Sequence, residues 1–155
     1  MVWSIAALIA LIGLDQGLKY WTVTNLALGE SVPLIPGVMQ LTRLHNYGAA
    51  WSSLSGKTVV LLVITSVLMI AVAVLLMKKI VRHRLGVTAG IFIIGGGLGN
   101  MIDRVRLGYV VDMLETKFME FPVFNVADCF ITCGCALLMV HLTFFNKRFW
   151  KDEKK

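Results

Sequence analysis

Four long apolar stretches separated by polar segments dominate the chain: Val2 to Leu26, Thr58 to Met77, Leu85 to Ile102 and Phe124 to Phe145. A helix of about 20 residues crosses the roughly 30 Å hydrocarbon core of a bilayer, and each stretch reaches or approaches that length. The apolar residues run continuously and do not alternate with period two, which predicts spanning helices and not a barrel. Thr58 to Met77 carries no charge, the first stretch contains Asp15 and Lys19, the third is rich in glycine, and the fourth holds Asp128 and His141. The expectation is an all-α membrane protein, a single domain over residues 1–155, with four transmembrane helices (about 2–26, 58–77, 85–102 and 124–145) and a small extracytoplasmic β-element over about 27–57.

That β-element is read from the longest polar stretch, Ala27 to Lys57. Pro33 and Pro36-Gly37 signal a turn, and Val38 to Leu44 alternates in part and reads as a strand. Asn46 to Trp51 reads as a turn leading to an interfacial tryptophan, with the whole element expected to lie on the outer membrane surface and Trp51 at the interface. In the third stretch, Gly86, Gly90, Gly95, Gly96, Gly97 and Gly99 include pairs four apart, a spacing that lets helix backbones approach closely in lipid. A phosphate-cradling loop is a poorer reading, because no P-loop lysine follows and no βαβ context exists.

Composition sharpens the membrane reading. The 155 residues are 57% hydrophobic and 15% charged, against about 45–50% and about 25% in soluble domains. The formal net charge is +6, and its distribution sets topology. Lys78, Lys79, Arg82 and Arg84 crowd the connection between the second and third spans. Lys147, Arg148, Lys151, Lys154 and Lys155 crowd the C-terminal tail. Both clusters belong on the cytoplasmic side, which puts both termini inside and argues against nucleic acid as the partner of this basic chain. Val2 to Leu14 resembles the core of a cleavable signal peptide, but no basic residue precedes it and Asp15-Gln16 stands where small residues would be cut, so it reads as a retained span. Cys129, Cys133 and Cys135 read as small packing residues of the fourth span, in preference to a metal site.

Ionisable groups at membrane depth are costly and point to function. Asp15 lies one helical turn before Lys19, which predicts an i,i+4 ion pair. Asp103 precedes Arg104 and Arg106, which predicts a cationic neighbour and a structural role. Glu30, Glu115 and Glu120 lie in polar segments and read as solvated. Asp112 and Asp128 differ: each follows small or apolar residues, neither has an adjacent cation, and both fall near the outer ends of the last two spans. If they met in a poorly hydrated site, one would keep a proton, and the pair could activate water and protonate a leaving amine, which is aspartic-peptidase chemistry. Spacing alone does not bring them together. No HExxH zinc motif and no GxSxG elbow occurs, and Ser52, Ser53 or Ser55 with Lys57 is a thinner alternative. A transporter or channel subunit using the acids as an ion or proton relay is the rival reading, and an inactive binder of precursor proteins is a third.

At these residues the chain resembles the lipoprotein signal peptidases (type II signal peptidases). The resemblance rests on five blocks in order: Asp15-Gln16-x-x-Lys19; Asn46-x-Gly48-Ala49-Ala50-Trp51-Ser52; Gly96-Gly97-x-Gly99-Asn100-x-x-Asp103-Arg104; Gly108-x-Val110-Val111-Asp112; and Phe121-Pro122-x-Phe124-Asn125-x-Ala127-Asp128. It implies a catalytic pair Asp112 and Asp128, with Asn46, Asn100, Arg104 and Asn125 binding substrate or shaping the site, and Asp15, Lys19 and Asp103 as structural support. It further implies cleavage of diacylglyceryl-modified prolipoproteins before the lipidated cysteine at the bacterial cytoplasmic membrane, no metal or organic cofactor, and inhibition by cyclic peptides such as globomycin. Met113 and Cys129 depart from the residues common in that family after each acid; both read as packing changes, and Cys129 as a point of sensitivity to thiol reagents.

Overall fold

The computed structural model describes residues 2–48, 53–78 and 80–145. Trp51 and its neighbours Ala49, Ala50 and Ser52 lie outside them, as do Lys79 and the basic tail. Four long helices carry the apolar stretches: α1 (Val2–Asn25), α2 (Thr58–Met77), α3 (Arg84–Leu107) and α4 (Val126–Val140), the last continuing through a π-helical turn, His141–Phe145. Among the described residues, α2, α3 and the α4 segment extended to Phe145 are long and apolar enough to cross a membrane. α1 has the length, 24 residues or about 36 Å at 1.5 Å per residue, but Asp15, Gln16 and Lys19 interrupt its apolar character. On α2 the large residues Val59, Val63, Val67 and Ile70 are exposed, as expected of a surface solvated by lipid.

α3 is the helix that α1, α2 and α4 all pack against, and its glycines are the reason. A Cβ on Gly96 would collide with the Ala127 carbonyl oxygen and approach the Ile131 side chain, and one on Gly99 would sit 2.6 Å from Asp15 Oδ2. Only a hydrogen fits at these crossings, so the backbone of α4 meets α3 directly and the Asp15 side chain of α1 lies against Gly99. α3 runs five residues beyond the expected Ile102, to Leu107, where Gly108 adopts the left-handed conformation as its C-cap.

The polar element is a three-stranded antiparallel sheet of order β1-β2-β3, formed by β1 (Ser31–Ile35), β2 (Met39–Asn46) and β3 (Val110–Thr116). β2 ends two residues later than the expected strand, which carries Asn46 into the sheet. Pro33 is tolerated because β1 is an edge strand. β3 comes from the connection between α3 and α4, outside the 27–57 segment in which the β-element was expected. A register shift between Leu41 and Leu44 precedes the pairings Leu44–Asp112 and Asn46–Val110. Arg43 ties the sheet to α1 by donating from Nη1 to the carbonyls of Val23 (3.1 Å) and Leu26 (2.9 Å), acceptors that a helix C-terminus leaves free.

Candidate active site

The site begins one layer below the two acids, with Lys19. Its ammonium group has three donors and three buried partners: Asp15 at 2.9 Å, Asp103 at 3.0 Å and Asn100 Oδ1 at 2.9 Å. Each carboxylate then reaches a different element. Asp15 Oδ1 accepts the Ala127 N–H (3.0 Å), one of the free donors in the first turn of α4. Asp103 Oδ2 accepts the Val111 N–H (3.1 Å) of β3. Gln16 bridges both acids, donating to Asp103 Oδ1 (2.9 Å), to the Gly99 carbonyl (3.1 Å) and more weakly to Asp15 Oδ2 (3.3 Å). One buried cation thus fixes the start of α4, which carries Asp128, and the strand that carries Asp112. The partner of Asp103 corrects the expectation from sequence. It is Lys19, a residue of another helix, and not the adjacent Arg104, whose Nη2 donates to the Gly48 carbonyl (3.0 Å).

The two acids meet through asparagines. Asn125 Nδ2 donates to Asp112 Oδ1 (2.7 Å), and the Asn125 backbone N–H donates to Asp128 Oδ2 (3.2 Å). The second oxygen of Asp112 accepts from Asn46 Nδ2 (2.8 Å), and the second oxygen of Asp128 accepts from Asn100 Nδ2 (2.8 Å). Nothing rotates these amides freely, because each carbonyl end is engaged. Asn125 Oδ1 accepts the Asp128 N–H (2.9 Å), which completes a capping box at the start of α4. Asn46 Oδ1 accepts the Gly48 N–H (2.9 Å), and Asn100 Oδ1 accepts from Lys19 and from Asn125 Nδ2 (3.1 Å). All three asparagines therefore present N–H to carboxylate. A carboxylate has about four lone-pair positions, so those not taken by these donors remain for a proton or a water.

Burial sets the charge state. Asp112 is 1% exposed. Loss of solvent, and then the Asp128 charge, push its carboxyl up to about 7, while the Asn46 and Asn125 hydrogen bonds and the more distant Lys19 charge pull it back. Near neutral pH this carboxyl therefore holds a proton for much of the time. In the same sheet, by contrast, hydrogen bonds from Thr42 and then Gln40 hold Glu115 below the usual carboxylate range. Glu115 is thus a bonded member of the sheet, where the sequence suggested a solvated group.

Both acids line a cavity of about 1030 Å³, together with Asn46, Asn100, Arg104 and Asn125. Its polar end is this cluster. Its apolar walls include Leu61 and Ile64 of α2, Ile131 of α4, and Phe121 and Phe124 from the loop between β3 and α4. All nine residues singled out from the sequence thus fall in one connected cluster: the two acids, the three asparagines and Arg104 at the cavity, and Asp15, Lys19 and Asp103 beneath it. Gln16, to which the sequence assigns no role, links the two supporting acids through its amide. Among the described residues no group of three or more His, Cys, Asp or Glu is arranged to hold a metal ion.

Comparison with known proteins places this architecture. The family described as signal peptidase (SPase) II matches residues 7–144. A lipoprotein signal peptidase of Enterococcus faecalis is 47% identical over 140 residues, covering 88% of this chain and 85% of that protein. One from Streptococcus thermophilus is 44% identical over 147 residues, covering 95% and 92%. Among solved structures, a bacterial membrane enzyme superposes with a TM-score of 0.89 at 33% identity, covering 96% of this chain and 92% of the other. A second one gives 0.86 at 34% identity, covering 94% and 95%. The chain belongs to the signal peptidase II family.

Proposed function

We propose that the protein is an intramembrane aspartic endopeptidase. It would remove signal peptides from diacylglyceryl-modified prolipoproteins, cutting before the lipidated cysteine. The observation that carries the mechanism is the joining of Asp112 and Asp128 through Asn125 at the polar end of an otherwise apolar cavity. Asp112 holds the proton and polarises the scissile carbonyl. Asp128 takes a proton from the attacking water, and the pair later protonates the leaving amine. Asn46, Asn100 and Asn125 hold the carboxylates, and Arg104 and the apolar walls position the peptide. Asp15, Lys19 and Asp103 act only through the elements they fix. No step of this chemistry calls for a cofactor.

Residues 1–155 act in this reading as a single membrane-embedded peptidase domain. α1 joins α2, α3 and α4 as a fourth span in the cytoplasmic membrane, with its polar residues turned into the bundle, where intramembrane charges belong. Both termini are cytoplasmic, and the dyad and the sheet lie at the outer face, where a lipid-anchored substrate arrives laterally from the bilayer. Cyclic peptide inhibitors such as globomycin would compete for the same cavity.

The deciding experiment incubates the purified chain in detergent with a diacylglyceryl-modified prolipoprotein, beside Asp112→Asn and Asp128→Asn. Wild-type cleavage that disappears in both folded variants is the expected result. Cleavage surviving either substitution would reject the assignment of the acids, and no cleavage by folded wild type would reject the peptidase reading.

A further inference from the structure

Three free cysteines lie on α4, and the structure separates them. Cys129 and Cys133 line the cavity with Asp128, whereas Cys135 is not part of its wall. Residues four apart on a helix are neighbours on one face, with Cβ atoms about 5–6 Å apart. Cys135, two residues beyond Cys133, points roughly 200° away from it around the helix. Cys129 is half-buried, and its thiol is within electrostatic reach of Asp128 and Cys133. Cys133 is exposed, so the pair runs from beside the acid to the open surface of α4. Neither thiol is the closed packing residue that the sequence suggested.

We propose that Cys129 and Cys133 form a dithiol site for a trivalent organoarsenical, and that filling it closes the active cavity. Sulfur ligands select soft, thiophilic centres. A structural zinc ion requires four ligands, and the described residues offer no group of three suited to a metal. An arylarsenic(III) centre needs only two sulfurs, because carbon occupies its third valence. An arylarsenic oxide condenses with both thiols. The two S–H bonds and the arsenic–oxygen bonds break, two As–S bonds form, and the oxygen leaves with both protons as water. Arsenic stays trivalent, and no oxidant or reductant is required. The aryl group then lies against the apolar wall near Ile131, in the space a peptide would occupy. The closing of the cavity rests on the peptidase reading; the formation of the adduct does not.

The test treats the full chain in detergent with phenylarsine oxide and measures intact mass. The expected product is a chain carrying one bridged aryl-arsenic group that survives excess monothiol and is removed by 2,3-dimercaptopropanol. Cys129→Ser and Cys133→Ser should lose the monothiol-resistant adduct, with Cys129→Ala and Cys133→Ala as second variants should either serine disturb folding; Cys135→Ser should retain it. An adduct stripped by monothiol, or one that persists without Cys129, overturns the site. In a parallel assay on lipidated precursor, treated wild type should lose cleavage and the dithiol should restore it. Undiminished cleavage by the bridged enzyme overturns the closing of the cavity. An untreated enzyme that does not cleave counts against the peptidase reading instead, and the mass measurement still decides the dithiol site.

Discussion

Asn125 acts on both acids at once: its amide faces Asp112, its backbone N–H faces Asp128, and its carbonyl oxygen closes the cap of α4. The pH dependence follows from the acid it faces with its amide. With the Asp112 carboxyl at about 7, cleavage of the lipidated substrate should fall as pH rises through that value, because the proton on the dyad is lost. The sign for stability is the same. The folded chain binds a proton that the unfolded chain has already released between the ordinary carboxylate range and about 7, so stability declines with rising pH across that window and levels off above it. Thermal unfolding in detergent should show this decline in wild type and a smaller one in Asp112→Asn; equal slopes would remove the burial argument. Lys19 is the other decisive residue. Lys19→Met leaves two buried carboxylates without their cation, and breaking a buried pair in this way costs about 3–5 kcal/mol. The variant should unfold at markedly lower denaturant, whereas Lys117→Met, on the exposed loop, should be nearly silent.

Among the elements, α3 carries the tightest constraints. Gly99→Ala places a methyl group 2.6 Å from Asp15 Oδ2, and Gly96→Ala drives one into the Ala127 backbone. Both should reduce folded yield and cleavage by forcing α3 away from α1 and α4. Gly13→Ala on α1 meets nothing within 4 Å and should be neutral or gain up to ~1 kcal/mol from helix propensity. Comparable losses in all three would show that space at the crossing is not what matters. The helices were legible because lipid-facing helices are apolar all round, and the glycine spacing showed where backbones meet. β3 was not legible. Val110, Val111, Asp112 and Met113 are all buried, so the strand shows none of the period-two alternation by which a half-buried strand is recognised. The Lys19–Asp103 pair was hidden for another reason. Neighbours one apart on a helix do not face each other, so Arg104 was the wrong cation to look for, and no local rule reaches across helices to Lys19. The acids themselves were legible because polar residues amid apolar ones stand out in a membrane chain. The asparagine lattice around them is visible only once α3, α4 and the sheet have converged.

For the molecule as a whole, the proposed four-span arrangement makes a labelling prediction. In a background without native cysteines, a cysteine at Lys78 should react with an impermeant maleimide only after the cells are opened, and one at Phe118 should react in intact spheroplasts. The opposite pattern would invert the topology, and reactivity of both in spheroplasts would remove α3, the helix between them, from the set of spans. A chain so placed would sit in an energised membrane with a buried ammonium group, three buried acids and the half-buried Asp128 between the two aqueous phases. Such a row of ionisable groups resembles a proton wire, yet the links from Lys19 to Asp128 and Asp112 run through amides. Proton hopping requires each link to receive a proton on one side and release another on the other. Lys19 connects to Asp128 through the amide of Asn100, and on to Asp112 through that of Asn125. Amides donate from nitrogen and accept at oxygen, in directions locked by their neighbours. The lattice that poises the two acids therefore also separates them from the Lys19 cluster for proton exchange, so that in the proposed placement charge held at depth need not become a leak across the membrane.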